Sequence, residues 1–191
     1  MDRQKNYSII LASKSPRRQK LLKDIGFDFV IKTFDVDEQF PNSLTTTEIP
    51  VWLAEKKALP FEGILKENEL VIAADTIVHL DGEVLGKPEN EEHAFQILKK
   101  LSNRKHQVIT GVCLKRKMAQ KSFFSVTDVV FKELTEEEIN YYIKKFHPFD
   151  KAGAYGIQEW IGFIGIQRIN GCFFNVMGLP IQKLYEEIQK F

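Results

Sequence analysis

Cysteine is scarce in this 191-residue chain: Cys113 and Cys172 are its two, far apart in sequence and outside any C-x-x-C pair. That excludes a disulfide framework and predicts a reducing, cytoplasmic setting. The four histidines, His79, His93, His106 and His147, lack H-x-x-x-H spacing, so none is assigned to a metal. No apolar run is long enough to span a bilayer, and the charged start Met1-Asp2-Arg3-Gln4-Lys5-Asn6 leads only into the short segment Ser8 to Ala12, which predicts neither secretion nor an anchor. Neither sign of charge is in excess. With 27 Lys and Arg against 26 Asp and Glu the net charge is +1, too little for a broad nucleic-acid footprint. The G-x-x-x-x-G-K-[ST] and G-x-G-x-x-G patterns are missing, which argues against P-loop and Rossmann chemistry. What is there, 43% hydrophobic and 28% charged, is a soluble globular composition with sequence enough for one core or two small lobes.

The pointed local signal is Leu11-Ala12-Ser13-Lys14-Ser15-Pro16-Arg17-Arg18-Gln19-Lys20-Leu21-Leu22. Ser15 reads as an N-cap and Pro16 as the first helical residue, with Leu21, Leu22 and Ile25 on one apolar face. Arg17 and Arg18 then sit beside unpaired N–H groups at the positive end of the helix dipole, where cations gain nothing except through an anion. A phosphate there would meet the N–H groups, the dipole and the guanidinium forks together. Two solvated surface arginines would give the same spacing.

Strands are expected at Ser8 to Ala12, Phe29 to Thr33 and Leu70 to Ala74, the last buried on both faces and ending at Asp75-Thr76. A helix is expected from about Glu48 to Ala58, stopped by Pro60. A hairpin turns at Asp81-Gly82, a helix capped by Asn90 buries Ala94, Ile97, Leu98 and Leu101, and long antiparallel strands cover Gln107 to Lys115 and Lys121 to Phe131. Thr135-Glu136-Glu137-Glu138 is a capping box for a helix ending near Phe146, a hairpin is expected through Asn170-Gly171, and Pro180 opens a last helix. The alternation predicts an α/β fold with a mixed sheet flanked by helices.

Asp75 is the strongest candidate for chemistry, because a carboxylate after a buried strand sits where open α/β sheets bind ligands; Thr76 beside it can bind a substrate oxygen. Turn capping by Asp75 is the plain alternative. Glu38 supplies a second carboxylate, with Asp35 and Asp37 as possible substitutes, and two carboxylates converging on phosphate oxygens suit Mg²⁺ or Mn²⁺. Lys57 and Lys87 are possible counter-charges for a polyphosphate. Gln158 offers an amide donor and acceptor to a nucleobase edge, in a small-residue loop that lets the backbone approach a ligand or equally packs Tyr155 on the sheet. Together these give an anion site with two carboxylates and several cations, suited to metal-assisted hydrolysis of a polyphosphate.

Six segments in order, Leu11 to Arg18, Ala74-Asp75-Thr76, Gly86-Lys87-Pro88, Leu101 through Gly111, Lys151 to Gln158 and Asn175 to Pro180, closely resemble the Maf family. The resemblance implies a fold like that of the inosine triphosphate pyrophosphatases, with two lobes around a central cleft, and one catalytic domain over residues 1–191. It implies a nucleoside triphosphate pyrophosphatase that uses a divalent cation, Mg²⁺ or Mn²⁺, forms a homodimer, and takes a nucleoside triphosphate rather than nucleic acid or membrane as partner. Carried over by position, Ser13, Arg17, Arg18, Lys57 and Lys87 contact phosphate, Asp75 is the general base with Glu38 beside it in the metal site, and Arg17, Thr76 and Gln158 bear on substrate choice. The Ala-Tyr-Gly-Ile-Gln string resembles the branch that acts on dTTP and UTP rather than 7-methyl-GTP. This chain departs from the family at Asn103, where glycine is usual and where asparagine can also enter the left-handed region, and at Glu159-Trp160, where a glycine is typical. The alternative function is a nucleotide-sensing regulator, linked to division, that binds without hydrolysis.

Overall fold

The computed structural model describes residues 7–191, so the charged segment 1–6, which entered the expectation about secretion, lies outside the described residues. Apolar runs without polar alternation build the middle of the sheet. Ile9, Ile10 and Leu11 of β1 (Ser8–Leu11) and Leu70 to Ala74 of β3 (Glu69–Leu80) are all buried, as in strands covered on both faces. β1 pairs in parallel with β2 (Phe29–Ile31) on one side and β3 on the other, with Ile10 opposite Val30 and Val71. β3 continues into an antiparallel pair with β4 (Glu83–Leu85) across the expected turn, where Asp81 and Gly82 have φ of 47° and 87°. β5 (Lys105–Arg116), β6 (Ala119–Phe131) and β7 (Ile166–Asn170) complete a seven-stranded mixed sheet in the order β2-β1-β3-β5-β6-β7, with β4 beside β3. Helices flank it.

The chain divides into two compact units, one of residues up to 75, 110–125 and 178–191, the other of residues 76–109 and 126–177. In the first, α1 (Pro16–Asp24) buries Leu21 and Leu22, and α2 (Glu48–Ala58) stops at the expected residue before a 3-10 turn over Leu59–Phe61. α2 lies close on the sheet where its inward residues Ala54 and Ala58 are small. Ala54 and Ala58 join Ile10, Ala12, Phe61, Leu65, Val71, Ala73 and Cys113 in one cluster. At Gly111 of β5 a Cβ would fall 2.2 Å from the carbonyl carbon of Pro50, so helix and strand meet backbone to backbone. Burial pushes the Cys113 thiol up to about 11, and both cysteines are free. α7 (Ile181–Lys190) follows Pro180 and buries Ile181, Leu184 and Ile188.

In the second unit α3 (Glu91–Leu101) is capped by Asn90, whose Oδ1 accepts from the His93 amide at 2.8 Å, and buries its four expected apolar residues. α4 (Glu136–Phe146) opens with the capping box on Thr135 and Glu138 and packs on α3. Asn103 has φ 56°, the left-handed conformation expected of a glycine substitute.

Three expectations need correcting. β3 does not end at Asp75: it runs on through the polar pair, bonded to β5 as well as to β1 before that pair and to β4 after it. No hairpin forms at Asn170-Gly171. β7 pairs back to β6, and the turn docks on Thr127, whose Oγ1 accepts from the Cys172 amide at 3.1 Å and donates to its carbonyl at 3.2 Å, after which α6 (Phe173–Val176) begins. A short helix α5 (Trp160–Gly165), absent from the sequence reading, also follows the glycine-rich loop.

Candidate active site

Lys57 lies in the last turn of α2, whose close seat on the sheet brings the ammonium down between two carboxylates. Lys57 Nζ pairs with Asp75 Oδ1 and, at 2.9 Å, with Glu38 Oε1. Asp75 and Lys57 are largely enclosed, their side chains 14% and 17% exposed, while Glu38 at 52% stands at the rim. Among the three acidic residues of the loop, Glu38 is thus the one that meets Lys57; Asp37 pairs with Lys56 at 3.8 Å and Asp35 is exposed. Asp75 lies beyond Ile72, the last β3 residue in register with β1, so its carboxylate still projects past the end of the parallel ladder although its strand runs on.

The start of α1 differs from the sequence reading in how its groups are used. Ser15 holds the N-cap position without a side-chain cap bond; its amide instead donates to Ser13 Oγ at 3.2 Å. Arg18 turns inward, donating through Nε to the Gly178 carbonyl at 2.8 Å and through Nη1 to the Ala74 carbonyl at 2.8 Å and Ser13 Oγ at 3.2 Å. The expectation that both arginines gain only through a ligand therefore fails for Arg18, because buried carbonyls need donors and the guanidinium fork supplies them. Burial holds the Arg18 pKa below the ordinary arginine value, with Asp75 opposing that shift. Arg17 is half-buried in the same first turn. The Gly178 carbonyl was missed because no side chain marks it.

Thr76, Lys87 and Gln158 belong to the second unit. Thr76 is half-buried on β3, and Lys87 is exposed in the loop after β4, next to Gly86, whose carbonyl accepts from the Gly153 amide at 3.1 Å. Gln158 carries a buried Oε1 with no hydrogen-bond partner, an acceptor left open. Tyr155 is buried, as the packing alternative has it: its hydroxyl and His106 Nε2 hydrogen-bond at 2.7 Å, and its ring meets those of His106 and Phe131 edge-on. Burial pulls the His106 pKa down to about 4.

Sequence reasoning gave Glu159 no role, yet it is a hub. Its Oε1 pairs with the buried Lys151 ammonium at 3.0 Å, which also meets Asp150 at 2.8 Å. Its Oε2 accepts from the Tyr142 hydroxyl, which in turn accepts from the Gly156 amide at 3.0 Å. A Cβ at Gly156 would sit 2.8 Å from the Glu159 carboxyl carbon and 2.9 Å from Gln158 Nε2, so a side chain there would displace the ends of those two. Trp160 packs edge-on against Tyr141 with ring centres 4.7 Å apart. The sequence cue was the departure from glycine at 159.

Among the described residues, no group of three or more His, Cys, Asp or Glu is placed to hold a metal by itself. The Glu38–Asp75 pair, already converging on one cationic group, offers the oxygen donors a hard divalent ion takes, with phosphate oxygens to complete its shell. No described helix is long and apolar enough to cross a membrane.

The family model described as Maf-like protein matches residues 8–191. A protein of Bacteroides thetaiotaomicron called dTTP/UTP pyrophosphatase is 55% identical over 185 residues, 96% of each chain. Proteins of the same name from Phocaeicola vulgatus, 55% identical over 96% of each chain, and Flavobacterium johnsoniae, 53% identical over 95% of this chain and 94% of its own, are similar to the same extent. The solved Ham1 protein of Staphylococcus aureus aligns with 65% of this chain and 71% of its own at 23% identity and TM-score 0.46, too partial a likeness to bear on function. With nearly its whole length matched, and relatives this similar from end to end, the chain belongs to the Maf-like protein family.

Proposed function

We propose that this protein is a nucleoside triphosphate pyrophosphatase that hydrolyses dTTP and UTP, and modified pyrimidine triphosphates, to the monophosphate and pyrophosphate, clearing them from the nucleotide pool. The observation that carries the chemistry is the convergence of Asp75 and Glu38 on the single Lys57 ammonium. The name shared by relatives 55% identical supports the choice of base.

In this reading water adds to the α-phosphorus, the bond from that phosphorus to the α–β bridging oxygen breaks, and pyrophosphate leaves while Asp75 takes the water's proton. The Lys57 pair fixes the Asp75 carboxylate, and a base so positioned is worth about 10²–10⁴-fold. Arg17, Arg18, Lys57 and Lys87 offset charge on the phosphate oxygens, and the Ser13 hydroxyl donates a hydrogen bond to them. Glu38 and Asp75 would hold a divalent cation, Mg²⁺ or Mn²⁺, which supplies Lewis-acid stabilisation of those oxygens when bound. Thr76 orients a substrate oxygen. Gln158 reads the base, its Oε1 accepting from N3–H and its Nε2 donating to O4 of uracil or thymine. The chain acts as one catalytic domain, as a homodimer in the cytoplasm, without bulk binding of nucleic acid.

The test is product analysis with dTTP and UTP in the presence of Mg²⁺ or Mn²⁺. Pyrophosphate and monophosphate in equal amounts support the reading; orthophosphate release, or tight binding without turnover, overturns it.

A further inference from the structure

Glu48, Trp52 and Glu55 fall four and then three residues apart on α2 and so share one face of the helix. With Phe123 and Phe124 of β6 and Lys183 of α7, that face lines a cavity of about 540 Å³, within the size range of small-molecule sites. The cavity lies wholly in the first unit and shares no residue with the proposed active site. Its aromatic walls are open to water, Trp52 being 37% and Phe124 42% exposed.

The charge on these walls is not balanced. Glu48 Oε2 accepts from the Thr45 amide at 2.8 Å and hydroxyl at 2.7 Å, and Glu55 Oε1 accepts from the Ser122 hydroxyl at 2.6 Å. Among the described residues neither carboxylate pairs with a cation, and each keeps one oxygen for a ligand. Lys183 turns instead to the Phe124 carbonyl, donating at 2.9 Å, with its ammonium 5.6 Å and 5.9 Å from the ring centres of Phe123 and Phe124. These rings already attract an ammonium. Seven residues of helical rise set Glu48 and Glu55 about 10 Å apart along the axis, with Trp52 between them.

We infer that this cavity binds a linear diamine, its alkyl chain on Trp52, Phe123 and Phe124 and its two ammonium groups on Glu48 and Glu55. Each end makes a charge-assisted hydrogen bond to a carboxylate, while the methylenes leave water for the rings. A monoamine satisfies one carboxylate only. Nucleotides and other anions meet two negative charges, so the ligand class is opposite in charge to that of the proposed active site.

The experiment is calorimetric titration of the nucleotide-free protein, at fixed ionic strength, with the eight-carbon α,ω-diamine, the four-carbon α,ω-diamine and octylamine. The long diamine should bind about tenfold more tightly than the other two, because octylamine lacks the second charge and the short diamine cannot reach both carboxylates. Glu55→Gln should weaken the long diamine about tenfold, and Glu48→Gln, whose carboxylate is exposed, about threefold. Melting temperatures report on the fold of both variants, and the wild-type series carries the test if either folds poorly. Equal affinity for octylamine, or a diamine affinity unchanged in both variants, overturns the inference. So does the absence of binding at millimolar diamine; sedimentation of wild type and Phe124→Ser would then give the face to a second copy if a dimer is lost in the variant. No nucleotide enters the assay, so the outcome is independent of the proposed reaction.

Discussion

Arg18 donates through Nη1 to the carbonyl oxygen of Ala74, at 2.8 Å, and so ties the first turn of α1 to the residue immediately before Asp75. A guanidinium proposed to contact phosphate thus also holds the backbone that carries the proposed base.

Arg18 should therefore contribute to stability in the ligand-free protein as well as to binding. Arg18→Ala removes donors from two carbonyls, at an expected cost of about 2 kcal/mol or roughly 4–8 °C in Tm for a chain of this size. Arg17→Ala should weaken triphosphate binding, since a first-turn guanidinium and the helix dipole favour the same anion. Thermal melts without nucleotide, alongside titration calorimetry, check both; equal melting temperatures would return Arg18 to a purely ligand-binding role.

Asp75→Asn should lower kcat by about 10²–10⁴-fold while a triphosphate still binds. The amide keeps the shape but cannot take the proton, and Glu38 still holds Lys57 at 2.9 Å. Single-turnover pyrophosphate release against equilibrium binding separates the two effects, and near-native turnover would remove Asp75 from the chemistry.

Stability should fall on mild acidification because of His106. Its pKa drops from the ordinary 6.5 to about 4 on folding, chiefly through burial. Between those values the unfolded chain binds more protons than the folded one, so stability is present above pH 6.5 and is lost as the pH falls toward 4, by about 3 kcal/mol in all. Urea titrations from pH 7 to 4 should show the decline, and His106→Gln should flatten the share that belongs to this residue; an unchanged slope in the variant would assign the loss to other groups.

Among bases, wild type should turn over dTTP and UTP well and CTP, GTP and 7-methyl-GTP poorly. Gln158→Ala should level that ranking, because the wrong base no longer leaves a buried amide unpaired. Comparing kcat/KM across the five nucleotides decides it, and an unchanged ranking in the variant would move base choice elsewhere.

Where structure is set locally, the sequence was legible. Pro60 marked the end of α2, Asn90 capped α3, Thr135 and Glu138 formed their box, and Asp81-Gly82 turned its hairpin. What was missed depends on distant partners. β3 passes Asp75 in a sheet where it also pairs with β5 and, beyond the polar pair, with β4, and Asn170-Gly171 fails to make a hairpin because Thr127 holds the following turn. The same holds at the site. The sequence preferred Glu38 to Asp35 and Asp37, and packing seats it on Lys57, but only packing gave Arg18 two carbonyls to hold. Glu159 stood out as an unusual residue, and its meaning came from Lys151 and Tyr142, which no spacing rule connects to it.

The bare main-chain contact between Gly111 and Pro50 leaves no room for a side chain where β5 meets the start of α2. The seat of that end of the helix is accordingly a fixed dimension, set by two peptide backbones in a close-packed interior that yields little to load. Attempts to retune this enzyme at that point have nothing to act on; a methyl group at position 111 would push the start of α2 off the sheet and disturb the helix that carries Lys57. Variation in what the protein accepts is better sought where its adjustable parts are side chains, in the loop that carries Gln158 and Glu159.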